Sequence, residues 1–276
     1  MNLLKAELLK IRTTSTWWVF GLIMLPLWAL AVLYNWGTAN ASRGVDPAES
    51  GMSADQAEQL RVASEAVNVA TTLYTSGQFL GVLIVMLLGA IVVTNEFYHQ
   101  TATTTFLVTP VRERVVLAKL AASVLLGLVF WLGTTILNLI VVPFILRSMD
   151  LGAQLGDPAI WRAIGLNALA FALWAILGVG FGVLIRNQLA ATLTLSITYV
   201  IGNFGASLVF FLLTEYVARW ISKLQVIVPT VASQLMIAGT DLPGNPPRWV
   251  GAVVLIGYAA VAGVVGTAIM RRRDIS

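Results

Sequence analysis

The sequence contains no cysteine and only one histidine, His99. Without cysteine there can be no disulfide framework, thiolate metal site or cysteine nucleophile. A lone imidazole cannot build a metal centre, and His99 reads as a solvated loop residue. Charge is scarce as well. Only 11% of the 276 residues are Asp, Glu, Lys or Arg, where a soluble domain carries about 25%. No Gly-x-x-x-x-Gly-Lys-Ser/Thr segment occurs, so nothing is present to cradle a nucleotide's phosphates at a helix start. The apolar runs hold no paired acids, arginine ladder or His–carboxylate cluster. That argues against proton-coupled carriers, voltage sensors and metal-dependent intramembrane hydrolases. There is no low-complexity tract or soluble domain. The lack of an internal repeat disfavours secondary carriers built from inverted halves.

What the sequence has in abundance is apolar length. Hydrophobic residues make up 58% of the chain, and mean hydropathy is +0.85. A soluble globule of this size could not hide that much apolar surface. About 20 apolar residues cross the bilayer's hydrocarbon as a helix, and six segments qualify: 17–36, 75–95, 117–146, 159–185, 190–213 and 250–270. The fold class expected is therefore an all-α membrane protein with six transmembrane helices, a single transmembrane domain over 1–276. The first apolar run follows Lys5, Lys10 and Arg12 and precedes Ala39-Asn40-Ala41, which resembles a cleavage site. At about 20 residues it exceeds the 7–15 of a signal-peptide core, so it is read as a retained helix.

Lys and Arg set the orientation. With both termini cytoplasmic, ten of them face inward: Lys5, Lys10, Arg12, Arg112, Arg114, Lys119, Arg186, Arg271, Arg272 and Arg273. Seven lie on longer outer loops: Arg43, Arg61, Arg147, Arg162, Arg219, Lys223 and Arg248. The short, basic loops mark the cytoplasmic side. Residues 37–74 form an outer loop in which Ser53-Ala54-Asp55-Gln56 reads as a capping box. Ala57, Leu60, Val67 and Ala70 continue at helical spacing, so an amphipathic helix is expected to lead into the second span. Asp157-Pro158 marks an N-cap and first helical position for the fourth span. The stretch 214–249 is apolar but broken by Arg219, Lys223, Gln225 and Pro229. It reads as short membrane-dipping helices, tolerable at that depth only where protein covers them.

The most informative segment is 95–119. It is polar, basic and too long for a simple turn, and Thr109 before Pro110 breaks any helix there. From the residues alone it is either an ordinary topology-setting loop or a surface that offers Phe106, Leu107 and Val108 to a cytoplasmic partner. Its pattern is a Glu ending the second span, a Thr-rich stretch, Leu-x-x-Pro-x-Arg and a Lys opening the third span. This resembles the ABC-2 permease family, the membrane-spanning subunits of bacterial ABC exporters. The N-terminal stretch Leu4 to Arg12 is similar to the basic, amphipathic elbow helix of that family. One departure is Gln100-Thr101, where many members place Gly before the Thr.

The resemblance implies an elbow over 1–16, carrying Lys5, Glu7, Lys10 and Arg12, and a coupling segment with a coupling helix over 95–118. It implies that Glu96 sits at the inner membrane edge and contacts the elbow or that segment. Its other implied ATPase-coupling residues are Thr101, Leu107, Pro110, Arg112, Glu113, Arg114 and Lys119. Glu96 read without the family is a simple interfacial carboxylate near Arg112 or Lys119. The implied partners are a separate ABC ATPase, which would bring ATP and Mg, and a second permease copy in a 2:2 complex. Membrane lipid surrounds the whole, and no nucleic acid is expected. The chain itself would be no enzyme and hold no cofactor or metal. The implied activity is export of a hydrophobic or amphipathic substrate (drug, peptide antibiotic or lipid) across the cytoplasmic membrane. The competing readings are an ATP-independent channel or carrier and a non-transporting scaffold.

Within the spans, Gly178, Gly180 and Gly182 read as small residues that let helices approach, not as a nucleotide loop. Asn138, Asn167, Thr194, Thr198 and Asn203 either join helices by hydrogen bonds or line a weakly polar route. Trp17, Trp18, Trp36, Trp161, Trp220 and Trp249 sit near span ends and read as interfacial anchors.

Overall fold

A computed structural model describes residues 3–45, 51–101, 107 and 111–272. The Thr-rich stretch 102–106 and Val108, Thr109 and Pro110 lie outside the described residues, as do Arg273 and the side chains of Arg112, Arg271 and Arg272. Among the described residues there is helix and no strand. The elements are α1 (Leu3–Thr13), α2 (Thr16–Arg43), α3 (Ala54–Ala63), α4 (Ala66–Tyr74), α5 (Gln78–Tyr98), α6 (Arg112–Ser148), α7 (Pro158–Leu184) and α8 (Gln188–Tyr216). A 3-10 helix (Arg219–Ile227), α9 (Pro229–Ile237) and α10 (Arg248–Arg272) complete the chain.

Six units are long and apolar enough to cross a membrane: α2, α4 with α5, α6, α7, α8 and α10. Local chemistry starts several of them as the sequence suggests. The Ser53 side chain accepts the Gln56 N–H while the Gln56 amide oxygen receives that of Ser53, closing the capping box on α3. Asp157 Oδ1 accepts the Ala159 N–H at 2.8 Å, with Pro158 in the first turn of α7. The 3-10 helix and α9 meet at Val228–Pro229 with a 92° bend, because proline offers no N–H to carry the helix through.

Two boundaries differ from the sequence reading. Helix α2 runs on to Arg43, so Ala39-Asn40-Ala41 is helical. The expected single helix of the first loop is two, broken at Ser64–Glu65. The second of them, α4, buries Asn68–Thr71, Leu73 and Tyr74 and forms one bent span with α5. That bend sits at Thr75–Gly77, where Gly77 takes a φ of 87°, a conformation that costs glycine little. The break strips helical partners from the carbonyls of Tyr74 and Ser76. Buried Asn138 of α6 replaces them, donating Nδ2 to both oxygens at 3.0 Å and accepting Trp28 Nε1 from α2 at 2.7 Å.

The centre of the bundle is the α5–α7 pair, with α6 and α10 packed on α7. Val82, Val85 and Met86 meet Phe171, Trp174 and Ala175, and Leu255 and Met236 extend the same core. In lipid the apolar effect does not drive helices together, so close approach must. Glycine supplies it. A Cβ at Gly178 would collide with the Met86 carbonyl, and one at Gly182 would lie 2.7 Å from the Ala90 carbonyl, both on α5. Gly180, on the other side of α7, leaves room for Ala262 of α10. By contrast α2 and α8 are peripheral, with 11% and 6% of their most apolar stretches buried.

Two expectations follow. Gly178→Ala should lower the thermal stability of the purified protein by about 1–3 kcal/mol through overpacking. Gly205→Ala, which meets nothing within 4 Å, should leave it unchanged or raise it, since alanine is the better helix former. Asn138→Leu should cost about 1–3 kcal/mol for each carbonyl left without a donor. A melting temperature equal to that of the parent protein in Gly178→Ala or Asn138→Leu, or a lowered one in Gly205→Ala, would contradict these expectations.

Candidate functional site

Four charged side chains from three elements meet where α5 ends and α6 begins. Glu7 and Lys10 are three residues apart on α1 and so share a face. Glu96 comes from the last turn of α5, and Lys119 from the second turn of α6. Lys10 Nζ lies 2.8 Å from Glu7 Oε1 and 2.6 Å from Glu96 Oε1. Lys119 Nζ lies 2.9 Å from Glu7 Oε2 and 2.9 Å from Glu96 Oε1, and it also donates to the Val92 carbonyl at 3.3 Å. Two carboxylates and two ammoniums make a set with no formal net charge.

Burial decides how much this arrangement matters. The side chains of Glu7, Glu96 and Lys119 are 6%, 7% and 2% exposed, while Lys10 is 46% exposed at the rim. Withdrawing an ion from water costs several kcal/mol, which only good geometry and complete hydrogen bonding offset. Lys119 spends its three N–H groups on Glu7, Glu96 and Val92. Burial alone would lower the Lys10 pKa, but hydrogen bonds to Glu7 and Glu96 and the attraction of both carboxylates outweigh it and hold the value above 10.5. A raised lysine pKa gives stability that is complete below the unfolded value and lost as pH rises through the folded one. The share of the attachment of α1 that Lys10 supplies is therefore complete across the neutral range and is lost as pH rises through the raised lysine value.

The turn leaving Glu96 is equally defined. Thr101 N–H donates to the Glu96 carbonyl at 2.9 Å and Gln100 N–H to Phe97 at 3.3 Å. This closure needs a left-handed residue, and Gln100 supplies it with a φ of 56°. Glycine is the usual residue at such a helix end, so Gln100 carries strain of about 1–2 kcal/mol. Arg186, in the α7–α8 turn, stacks over Phe97 at 5.4 Å and joins that connection to the same corner.

Other sequence candidates fall around this corner. Lys5, Arg12, Thr101 and Arg114 are exposed, Glu113 is half-buried, and Leu107 is 79% exposed. Pro110 and the Arg112 side chain lie outside the described residues. Of the polar span residues, Thr194, Thr198 and Asn203 line a cavity of about 340 Å³ between α5, α7, α8, α9 and α10. Asn203 also borders a cavity of about 710 Å³ that runs from Tyr34 and Asn35 of α2 past Thr72 and Gln78 to Gln234. Among the described residues, neither cavity is lined by Asp, Glu, His, Lys or Arg. Asn138 and Asn167 are buried and line neither. Several polar braces carried no pattern in the sequence. Tyr199 Oη donates to the Phe79 carbonyl at 2.5 Å. Gln78 Nε2 and Trp174 Nε1 converge on Ser233 Oγ at 2.8 and 3.3 Å.

Lys119→Met leaves Glu7 and Glu96 buried with Lys10 alone. It should cost about 3–5 kcal/mol, the usual penalty for breaking a buried charged set from one side. Lys119→Met combined with Glu7→Gln, which restores charge balance, should recover part of that loss. A melting series with no recovery in the double variant would sink the linkage.

Residues 3–203 match the family described as ABC-2 family transporter protein. No curated protein matches the chain. The match spans α1, the charged corner, the first four membrane-crossing units and the first half of the fifth, and the last span completes the same all-helical bundle. The chain is a multi-pass membrane protein and belongs to the ABC-2 transporter family.

Proposed function

We propose that this chain is the permease subunit of an ATP-driven exporter that moves a hydrophobic or amphipathic substrate across the cytoplasmic membrane. ATP and Mg act in a separate ATPase chain, and two permease copies pair with two ATPases. Both termini and residues 95–118 are cytoplasmic. The observation that carries the reading is the buried quartet Glu7–Lys10–Glu96–Lys119. It fastens α1 to the two helices that flank the candidate ATPase-contacting stretch. A push on that stretch therefore moves three elements as one. The lining of the two cavities, mostly apolar with amides and hydroxyls, suits an amphipathic cargo. The apolar faces of α2 and α8 are left for lipid or a second copy. A ligand or nucleotide shifts such a machine only by favouring one of its states.

Capture of the full chain from its own membranes should bring down a Walker-type ATPase whose hydrolysis drives efflux of a lipophilic dye from vesicles. Glu96→Gln should lower dye efflux per ATP while leaving the complex intact. Dye movement by the purified chain alone, without ATPase or ATP, would overturn the reading. The lack of native cysteine makes Leu107→Cys a clean topology probe. A membrane-impermeant maleimide should label it in inverted vesicles and not in intact cells.

A further inference from the structure

At the opposite end of the bundle from the quartet, two arginines converge on one backbone oxygen. Arg162 lies in the first turns of α7, and Arg248 opens α10. Arg162 Nη2 and Arg248 Nη1 each donate to the Gly239 carbonyl at 2.6 Å. The two nitrogens thus stand no farther apart than twice that distance. Arg248 also reaches the Ala238 carbonyl at 3.3 Å and pairs through Nε with Asp241 Oδ1 at 2.8 Å. Arg162 has no carboxylate partner among the described residues. Two guanidiniums held this close with one acid between them leave a local excess of positive charge, and like charges at such range repel.

The scaffold behind the pair is fixed. Asn68 Oδ1 accepts the Thr240 N–H at 2.9 Å, and its Nδ2 donates to Thr240 Oγ1 and to the Val62 carbonyl at 2.7 Å each. Gly239 packs so closely on Asn68 and Thr71 that a Cβ there would lie 2.6 Å from Asn68 Oδ1. The carbonyl that gathers both arginines is therefore held from behind. Each arginine also adjoins an exposed tryptophan in the sequence: Trp161 is 51% and Trp249 65% exposed. Exposed tryptophans at span ends belong at headgroup depth, so the pair faces the level where phosphates sit. Guanidinium is planar and presents paired donors that match a phosphate's oxygens.

We propose that Arg162 and Arg248 form a binding site for a phosphate-bearing anion, which takes the guanidinium donors not spent on Ala238, Gly239 and Asp241. An anionic phospholipid headgroup and free phosphate share this chemistry. The site is distinct from the cavities, whose lining is uncharged, and it stands whether or not the export reading holds.

The test is thermal stability of the full purified chain in neutral detergent with phosphatidylglycerol, phosphatidylcholine or inorganic phosphate added. Phosphatidylglycerol should raise the melting temperature of the parent protein, and phosphatidylcholine should not. Arg162→Gln and Arg248→Gln should each abolish the rise, with the lipid-free melt of each variant reporting its folding. Arg162→Lys, which keeps the charge and loses the planar fork, should show a reduced rise and serves if the glutamine variants fail to fold. A rise with inorganic phosphate as large as that with phosphatidylglycerol supports the same site with a soluble ligand. An equal phosphatidylglycerol rise in parent and variants would overturn the proposal. So would an equal effect of phosphatidylcholine, or no effect of either anion.

Discussion

A charge taken out of water must find its opposite inside the protein, and the corner formed by α1, α5 and α6 is built on that requirement. Glu7, Glu96 and Lys119 are all nearly dry. Leaving any of the three without a partner in that setting would cost several kcal/mol. Their mutual satisfaction depends on α1 being present, because α1 supplies one acid to Lys119 and one base to Glu96. Docking of α1 and charge balance at the start of α6 are thus one event. The consequence is mechanical. Moving α1 away from the bundle would strand buried charges, so α1, the end of α5 and the start of α6 move together or not at all.

The same constraint operates on backbone groups at the far end of α5. The chain bends at Gly77, and without Asn138 two carbonyls would face apolar surroundings unpaired. Trp28, Asn138 and Asn35, which donates to Ser76 Oγ at 2.9 Å, hold the bend from three sides. Between the two polar braces, the α5–α7 contact is set by glycine and admits no added methyl group. The result is a stiff middle fastened at both ends, with α2 tied to it through Trp28 and Asn35 and α8 at its periphery.

What the sequence revealed and what it hid divide along the same physical line. Features set by neighbouring residues were legible: the six apolar spans, the Ser53 capping box, the Asp157-Pro158 helix start and the break before Pro229. Each of the quartet residues was also recognisable, but their meeting was not. Glu7 and Lys119 are 112 positions apart, and nothing local in either stretch encodes the other. Glu7 and Lys10 stood out only as residues of the elbow that the family resemblance implies. Asn138 could be seen as an intramembrane amide but not as the donor for a bend in another helix. The triplet Gly178, Gly180 and Gly182 read as one packing motif. It serves two partners, since a step of two residues turns about 200° around a helix and points Gly180 at α10.

A buried ion set is a poor choice if stability alone is at stake, because well-packed apolar residues of similar volume often do as well or better. Its advantage is selectivity of position. An apolar face tolerates sliding by a fraction of a turn, whereas Lys119 reaches both carboxylates and the Val92 carbonyl only in one register. Lys10, half in water, holds the open side of the set and keeps its charge well beyond neutral pH. An attachment of this kind resists small displacements while it holds and gives little once its geometry is lost. That behaviour suits a joint that has to pass a displacement on without absorbing it. The strained Gln100 turn, four residues after Glu96, fits the proposed coupling role, since a stiff, closed helix end there would carry force from the connecting segment into the quartet.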